Sequence, residues 1–268
     1  MIKKRTSNTV FSYLLLVIAA LGVICLLAAT LLLILTLTGK GKEEEAAPTQ
    51  AQVYDALLPE SADAGMEYID QMIFFGESTT AHLRSRGVLS GGTETHQVWA
   101  DSSGTRTLSS KLLSESIVYP PTGENLTLAE ALAAEQPAYL VLSFGLNNVK
   151  GFVSNKDTYI GNYNKLIQAI TEASPSTRII LQSVYPVSAS CSEFGVDGKT
   201  VCEYTQTLNG YLLEIAASHP NVRYVDTASV LMGADGTLDP ACDNGDGVHL
   251  NTVAYGRILS YLRTHAWK

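Results

Sequence analysis

Residues 10–38 form the longest apolar stretch of the chain and contain no charged side chain. Most of these positions are Leu, Ile, Val or Ala. The stretch exceeds the roughly 20 residues that a helix needs to cross a bilayer. It is also longer than the apolar part of a secretory signal peptide, about 7–15 residues. The pattern therefore predicts a transmembrane helix over 10–38, with a cleaved signal peptide as the alternative.

Basic residues flank this apolar stretch unequally. Lys3, Lys4 and Arg5 precede it, whereas Lys40 and Lys42 follow it. Because Lys and Arg accumulate on the cytoplasmic side of membrane helices, we expect residues 1–9 in the cytoplasm and the rest of the chain outside it. Residues 39–66 combine Gly, Lys, Glu, Ala, Pro and Gln with little periodicity, which predicts a linker to a domain over 67–268.

Within residues 67–268, short apolar runs alternate with segments of helical periodicity. The runs that predict strands are 72–75, 97–100, 139–144, 178–184 and 222–226. The segments that predict helices are 128–136, 157–173, 204–218 and 252–265, the last with Asn251 as its cap. Continuous apolar runs are typical of strands that are buried on both faces. Their alternation with helices predicts an α/β domain around a parallel sheet of about five strands.

Composition excludes several classes of function. The formal net charge is −8 and only 16% of residues are charged, so no basic surface for nucleic acid is expected. The four cysteines show no zinc-site spacing and are too few for a disulfide scaffold. With 46% hydrophobic residues, the chain is too apolar to be disordered. We expect neither a metal nor a bound cofactor.

Candidate chemistry follows the predicted strands, because ligands of open α/β sheets bind at the carboxyl ends of the strands. Gly76-Glu77-Ser78 follows the first strand. A serine at a strand-to-helix turn has an exposed hydroxyl beside the free N–H groups of the helix. The alternative is that Ser78 only caps the helix.

Two further segments supply complementary groups. Asn147, in Gly145-Leu146-Asn147-Asn148, could donate its amide N–H to an oxyanion, although Gly and Asn also favour a simple turn. In the segment from Asp246 to His249, the carboxylate could accept from the imidazole Nδ1–H and leave Nε2 as a base. A serine nucleophile needs such a base, so the three segments together predict one catalytic site.

These motifs resemble those of the SGNH/GDSL hydrolases over residues 68–267. The resemblance implies a flavodoxin-like α/β/α sandwich, here preceded by the transmembrane helix. It also implies Ser78 as the nucleophile, His249 as the base and Asp246 as the residue that orients the base. The oxyanion would then be held by the backbone N–H of Ser78 and the side chain of Asn147.

The family pattern also supplies a glycine whose N–H holds the oxyanion. Gly104 is the best match, with Gly91 or Gly92 as alternatives. Two positions depart from the family pattern, since Glu77 and Asn148 each stand where it has Asp. Neither is the nucleophile, the base or the amide donor, so we expect activity to survive while the loop geometry changes.

The cysteines that follow the fourth predicted strand suggest a disulfide. In an extracytoplasmic domain, Cys191 and Cys202 could close the loop between them. Cys242 is a third candidate partner, and three free thiols are the alternative.

Together these features predict a membrane-anchored, extracytoplasmic serine esterase without a metal or cofactor. Its expected substrates are O-acyl groups, in particular O-acetyl, on cell-envelope carbohydrate, or a small ester. An O-acyltransferase to a surface glycan would use the same residues. A non-catalytic glycan-binding domain is the alternative outside the enzymes, since a fold does not fix a function. The sequence does not indicate an oligomeric state.

Overall fold

The computed structural model describes residues 48–99 and 106–268. The predicted cytoplasmic segment 1–9, the predicted transmembrane helix 10–38 and the first part of the predicted linker lie outside the described residues. No helix among the described residues combines the length and apolar character needed to cross a membrane. The described part of the linker contains helix α1 (Gln50–Ala56) and leads into the short helix α2 (Met66–Ile69).

Four parallel strands form the central sheet. In chain order the strands are β1 (Met72–Gly76), β2 (Ser116–Tyr119), β3 (Glu124–Thr127), β4 (Tyr139–Ser143), β5 (Arg178–Gln182) and β6 (Val222–Val225). The sheet has the order β1-β4-β5-β6, and β2 and β3 form a separate antiparallel hairpin that the sequence did not predict. The β1–β4 register places Gly76 opposite Ser143. The carboxyl ends of these two strands are therefore neighbours.

The prediction of a strand over 97–100 is wrong for its described residues 97–99, and the sheet formed by the described residues has four strands rather than about five. The segment makes a single bridge, between Val98 and Phe74 of β1. Phe74 donates to the Gln97 carbonyl and accepts from the Trp99 N–H, at 2.7 and 2.9 Å. The Gln97 side chain donates to the carbonyls of Ile69 and Met72, which ties the start of the segment to the turn before β1.

Six further helices complete the described fold. They are α3 (Ser78–Ser85), α4 (Leu128–Glu135), α5 (Val149–Ser154), α6 (Lys156–Ala173), α7 (Gly198–Ala217) and α8 (Thr252–Thr264). The side chain of Asn251 accepts from the Ala254 N–H and caps α8, as predicted. Helix α7 begins six residues earlier than expected, because the Asp197 side chain accepts from the Thr200 N–H and caps it there.

Helices cover both faces of the sheet, as predicted. Alternate strand residues contribute to two separate hydrophobic clusters, as the two-residue period of a strand requires. Phe75 and Leu142 pack with helices α4, α6 and α7 on one face. Phe74 and Val141 pack with helices α2, α3 and α8 on the other. The α/β/α arrangement leaves the carboxyl ends of the strands free to carry loops.

The predicted disulfide between Cys191 and Cys202 is wrong for this structure. Cys191, Cys202 and Cys242 are all free and buried. Cys202 lies on the inward face of α7, and its Sγ is 3.4 Å from the backbone nitrogen and 3.3 Å from the carbonyl oxygen of Val187. The thiol thus bonds to the backbone of the neighbouring segment, and burial raises its pKa.

Candidate active site

A tight turn between β1 and α3 places Ser78 at the first position of the helix. A Cβ on Gly76 would lie only 2.4 Å from the Ser143 carbonyl oxygen and 2.3 Å from Thr80 Oγ1. Only glycine fits this close approach of the two strands. From α8, the Tyr255 hydroxyl donates to the Thr79 carbonyl over 2.7 Å and supports the first turn of α3. The half-buried Ser78 therefore has a fixed backbone.

Ser78, His249 and Asp246 form one continuous series of hydrogen bonds. Ser78 Oγ lies 3.1 Å from His249 Nε2, and His249 Nδ1 lies 2.8 Å from Asp246 Oδ2. Because a carboxylate can only accept, the imidazole donates its Nδ1–H to Asp246, and Nε2 of the neutral ring is then the acceptor for the Ser78 hydroxyl. The structure thus brings together the three side chains that the sequence assigned to one site.

The loop before α8 binds the Asp246 carboxylate tightly. Its second oxygen, Oδ1, accepts from the backbone N–H groups of Val248 and His249 at 2.9 and 2.7 Å. Partial burial alone would raise the pKa of Asp246, but the backbone amides and the His249 ring outweigh it and lower that pKa to about 2. Asp246 is therefore ionised at neutral pH and keeps a proton on His249 Nδ1.

The loop after β4 is bound by the side chain of Glu77, the residue before Ser78. Glu77 is 3% exposed, and its carboxylate accepts from three consecutive backbone N–H groups. Oε1 accepts from Gly145 at 3.0 Å, and Oε2 accepts from Leu146 and Asn147 at 3.1 and 3.2 Å. Burial raises the pKa of Glu77 to about 7, although the three amides act in the opposite direction. The sequence had shown Glu77 only as a departure from a family pattern.

The Asn147 side chain makes its own hydrogen bond, in addition to the bond between its backbone N–H and Glu77. Its Nδ2 donates to the Arg106 carbonyl oxygen over 2.5 Å. Because a primary amide carries two hydrogens, one N–H of Asn147 is still available as a donor. The backbone of Asn147 is bound to Glu77, so its loop is joined directly to the turn that carries Ser78. This supports the predicted place of Asn147 beside the nucleophile.

The predicted glycine donor is not located by the structure. Gly104 lies outside the described residues. The alternatives Gly91 and Gly92 form a turn with φ of +86° and +59°. The Gly92 N–H donates to the Leu89 carbonyl over 2.9 Å, which removes it as an oxyanion donor.

His82, in the first turns of α3, is a second histidine beside the site. Its ring centroid lies 4.7 Å from that of His249. Burial lowers the pKa of His82, and the nearby His249 and Arg86 lower it further. His82 therefore favours the uncharged form and restricts the space available to the His249 ring. Its position four residues after Ser78, one helical turn along α3, could have indicated this contact.

Comparisons with known proteins bear on the fold and the family. No curated protein sequence matches the chain. A Streptococcus pneumonia structure, provisionally described as a platelet activating factor, has 18% identity and a TM-score of 0.53, over 80% of this chain and 95% of its own. That likeness supports a shared fold.

Two further solved structures have lower TM-scores. A GDSL-like lipase from Bacteroides thetaiotaomicron has 15% identity and a TM-score of 0.48, over 80% of this chain and 92% of its own. A family 3 carbohydrate esterase from Talaromyces cellulolyticus has 16% identity and a TM-score of 0.45, over 72% of this chain and 93% of its own.

The family assignment rests on the sequence match. The model of the GDSL-like Lipase/Acylhydrolase family matches residues 74–257. The matched region runs from β1 into α8 and contains Ser78, Asn147, Asp246 and His249. The chain belongs to the GDSL-like lipase/acylhydrolase family.

Proposed function

We propose that the protein is a serine ester hydrolase in which Ser78 is the nucleophile. The observation that carries the proposal is the hydrogen-bonded series from Ser78 Oγ through His249 to Asp246. A hydroxyl is a weak nucleophile unless a neighbouring base accepts its proton. The accepting Nε2 and the ionised carboxylate behind Nδ1 supply that base in the required tautomer.

The reaction proceeds in two steps. Ser78 Oγ attacks the ester carbonyl carbon while His249 Nε2 takes the hydroxyl proton. The tetrahedral intermediate then expels the alcohol, which takes that proton from His249, and an acyl group remains on Ser78. In the second step water attacks the acyl group and gives a proton to His249, which returns it to Ser78 Oγ as the carboxylic acid leaves.

The negative charge on the oxygen of the tetrahedral intermediate must be stabilised by hydrogen-bond donors at the same edge of the sheet as Ser78. The Ser78 N–H is at the first turn of α3, where backbone N–H groups have no partner within the helix. The second amide hydrogen of Asn147 is the next donor, and Gly104 is our proposed third. Losing one such donor typically lowers kcat by on the order of 10²–10³-fold.

We further propose that the domain is anchored outside the cytoplasm by residues 10–38 and acts on O-acyl groups of envelope carbohydrate. The charge-free apolar run and the larger number of basic residues before it support the anchor and its direction. An anchor keeps the site close to the envelope. Protease added to intact cells should degrade the domain. Protection in intact cells, with degradation only after lysis, would contradict the location.

The activity is tested with the full chain in detergent micelles. We expect hydrolysis of p-nitrophenyl acetate and release of acetate from an O-acetylated glycan. A sugar acceptor that captures the acyl group at the expense of free acetate would identify a transferase with the same residues. A folded protein that neither turns over these esters nor reacts with a serine-directed phosphonate would contradict the enzyme proposal.

Replacing Asp246 with asparagine should lower kcat by about 10²–10⁴-fold with little change in KM. The amide cannot hold a proton on His249 Nδ1 as the carboxylate does, so the imidazole loses the tautomer that accepts from Ser78. Steady-state hydrolysis of p-nitrophenyl acetate measures the loss. Asp243→Asn, in the same loop but outside the hydrogen-bonded series, is the matched control. Equal kcat for Asp246→Asn and the native protein would contradict the role of Asp246.

A further inference from the structure

Glu77 is a buried carboxylate that none of the proposed chemical steps uses. It is 3% exposed, and in the described part of the chain no Lys or Arg pairs with it. Its partners are the three backbone N–H groups of Gly145, Leu146 and Asn147. Burying an ion is costly unless hydrogen bonds compensate, so the contact calls for an explanation.

We propose that Glu77 is a positioning residue: its carboxylate holds the loop of Gly145 to Asn147 so that the Asn147 amide reaches the oxyanion. The proposal rests on the proposed esterase function and deepens it. Glu77 does not touch the reacting atoms. It joins the turn that carries the nucleophile to the loop that carries the donor, and so fixes the distance between them.

The loop has little freedom to adapt without this carboxylate. Gly145 has φ of +142°, and a Cβ there would lie 2.9 Å from Val184 Cγ2. On the other side of the loop, the hydroxyls of Tyr159 and Tyr163 both donate to the Phe144 carbonyl oxygen over 3.1 Å. Two tyrosine hydroxyls thus fix the backbone immediately before the loop, and the Glu77 carboxylate binds the loop itself.

The ionised form of Glu77 fits the three donors, and the protonated form does not. An ionised carboxylate only accepts, whereas a protonated one carries an O–H that would point at backbone N–H groups. Among the described residues, the titratable groups that interact electrostatically with Glu77 are the phenols of Tyr159 and Tyr163, whose pKa values burial raises. Both phenols are therefore uncharged near neutral pH. Protonation of Glu77 should release the loop and displace Asn147.

Protonation of Glu77 should therefore lower activity on the acid side. The pKa of Glu77 lies near 7, so its protonation falls in the range where enzymes are commonly assayed. Stability should respond in the opposite direction. Folding raises the pKa of Glu77 from 4.5 to about 7, so the folded protein binds this proton more tightly than the unfolded chain does. The free energy of unfolding should therefore be highest below pH 4.5 and should decrease as pH rises through about 7.

The test compares Glu77→Gln and Glu77→Asp in the full chain, with the exposed Glu172→Gln as the matched control. For the native protein, we expect kcat to fall as pH drops below about 7 and Glu77 is protonated. Glu77→Gln should lower kcat by about 10–100-fold and leave KM within about threefold, since an oxyanion donor is misplaced rather than removed. The fall of log kcat toward acid pH should be shallower in this variant than in the native protein, because the amide does not titrate. Glu77→Asp, which keeps an acceptor-only group, should recover part of kcat.

Three results would overturn the positioning role. They are an unchanged kcat in Glu77→Gln, a fall of log kcat toward acid pH that is as steep in that variant as in the native protein, and a loss in Glu77→Asp equal to that in Glu77→Gln. If Glu77→Gln does not fold, the kcat and pH profile of Glu77→Asp decide. Failure of the esterase proposal itself would look different, because the native protein would then show no turnover that depends on Ser78.

Discussion

Replacing Ser78 with alanine should lower kcat for p-nitrophenyl acetate by at least about 10³-fold, since removal of a serine nucleophile costs up to on the order of 10⁶-fold in well-studied enzymes. The variant keeps His249 and Asp246 but has no hydroxyl to form the acyl intermediate. Ser78 makes its side-chain hydrogen bond to His249 and is half-buried, so the fold should be retained. Equal melting temperatures of the native protein and the variant would check this.

Ser85→Ala is the matched control for this variant. Ser85 lies at the other end of α3, is exposed, and makes only a 3.4 Å hydrogen bond to the His82 carbonyl. Its kcat should stay within about twofold of native. The double variant Ser78→Ala/His249→Ala should be no slower than Ser78→Ala alone, because the two residues act as a unit. Turnover by Ser78→Ala at a tenth of the native rate or more would contradict the nucleophile.

Replacing Gly76 with alanine should lower the free energy of unfolding by at least about 3 kcal/mol, within the range of severe overpacking. The added Cβ would lie 2.4 Å from the Ser143 carbonyl oxygen, a backbone atom that the sheet holds in place. To relieve the overlap, the β1–β4 pair must separate where Ser78 and Asn147 are positioned. Denaturant unfolding of the native protein and the variant measures the difference.

Gly161→Ala is the corresponding control. Gly161 lies in the interior of α6, and a Cβ there would meet no atom within 4 Å. Alanine should stabilise this position by up to about 1 kcal/mol, because glycine is the poorer helix former. A loss below about 1 kcal/mol for Gly76→Ala would mean that the strands can separate easily, and would contradict the tight turn.

The four strands of the sheet were predictable because their burial leaves a clear pattern. Strands β1, β4, β5 and β6 are nearly continuous apolar runs, as expected where helices cover both faces. The segment 97–100 has a similar apolar character, but its described residues 97–99 pair only around Phe74. Composition records burial, whereas a strand also requires an extended row of backbone partners, which local sequence does not specify.

The missed elements have weak or misleading local signals. The strands β2 and β3 are short, and β3 is polar and largely exposed, so no apolar run marks it. The start of α7 reads Asp197-Gly198-Lys199-Thr200, which favours a turn by composition. In the structure Asp197 is the cap that begins the helix. Capping residues and turn residues overlap in type, so the sequence left this boundary open.

The site was predictable where chemistry restricts the residue types. A nucleophile, a base and an orienting carboxylate form a small set, and the spacing of Asp246 and His249 allows a direct contact. The role of Glu77 was not predictable in the same way. Its partners lie 68 to 70 positions further along the chain, and they meet it only through the register of β1 against β4. Long-range packing of that kind is absent from local sequence.

The most direct test of the account is covalent labelling with a fluorophosphonate, followed by mass mapping of the labelled peptide. We predict a single adduct on Ser78 in the native protein, formed much more slowly in His249→Ala, because a hydroxyl is a weak nucleophile toward the phosphonate unless a base activates it. Ser78→Ala should remain unlabelled. An adduct at any other residue, or equal labelling of the native protein and Ser78→Ala, would contradict Ser78 as the nucleophile.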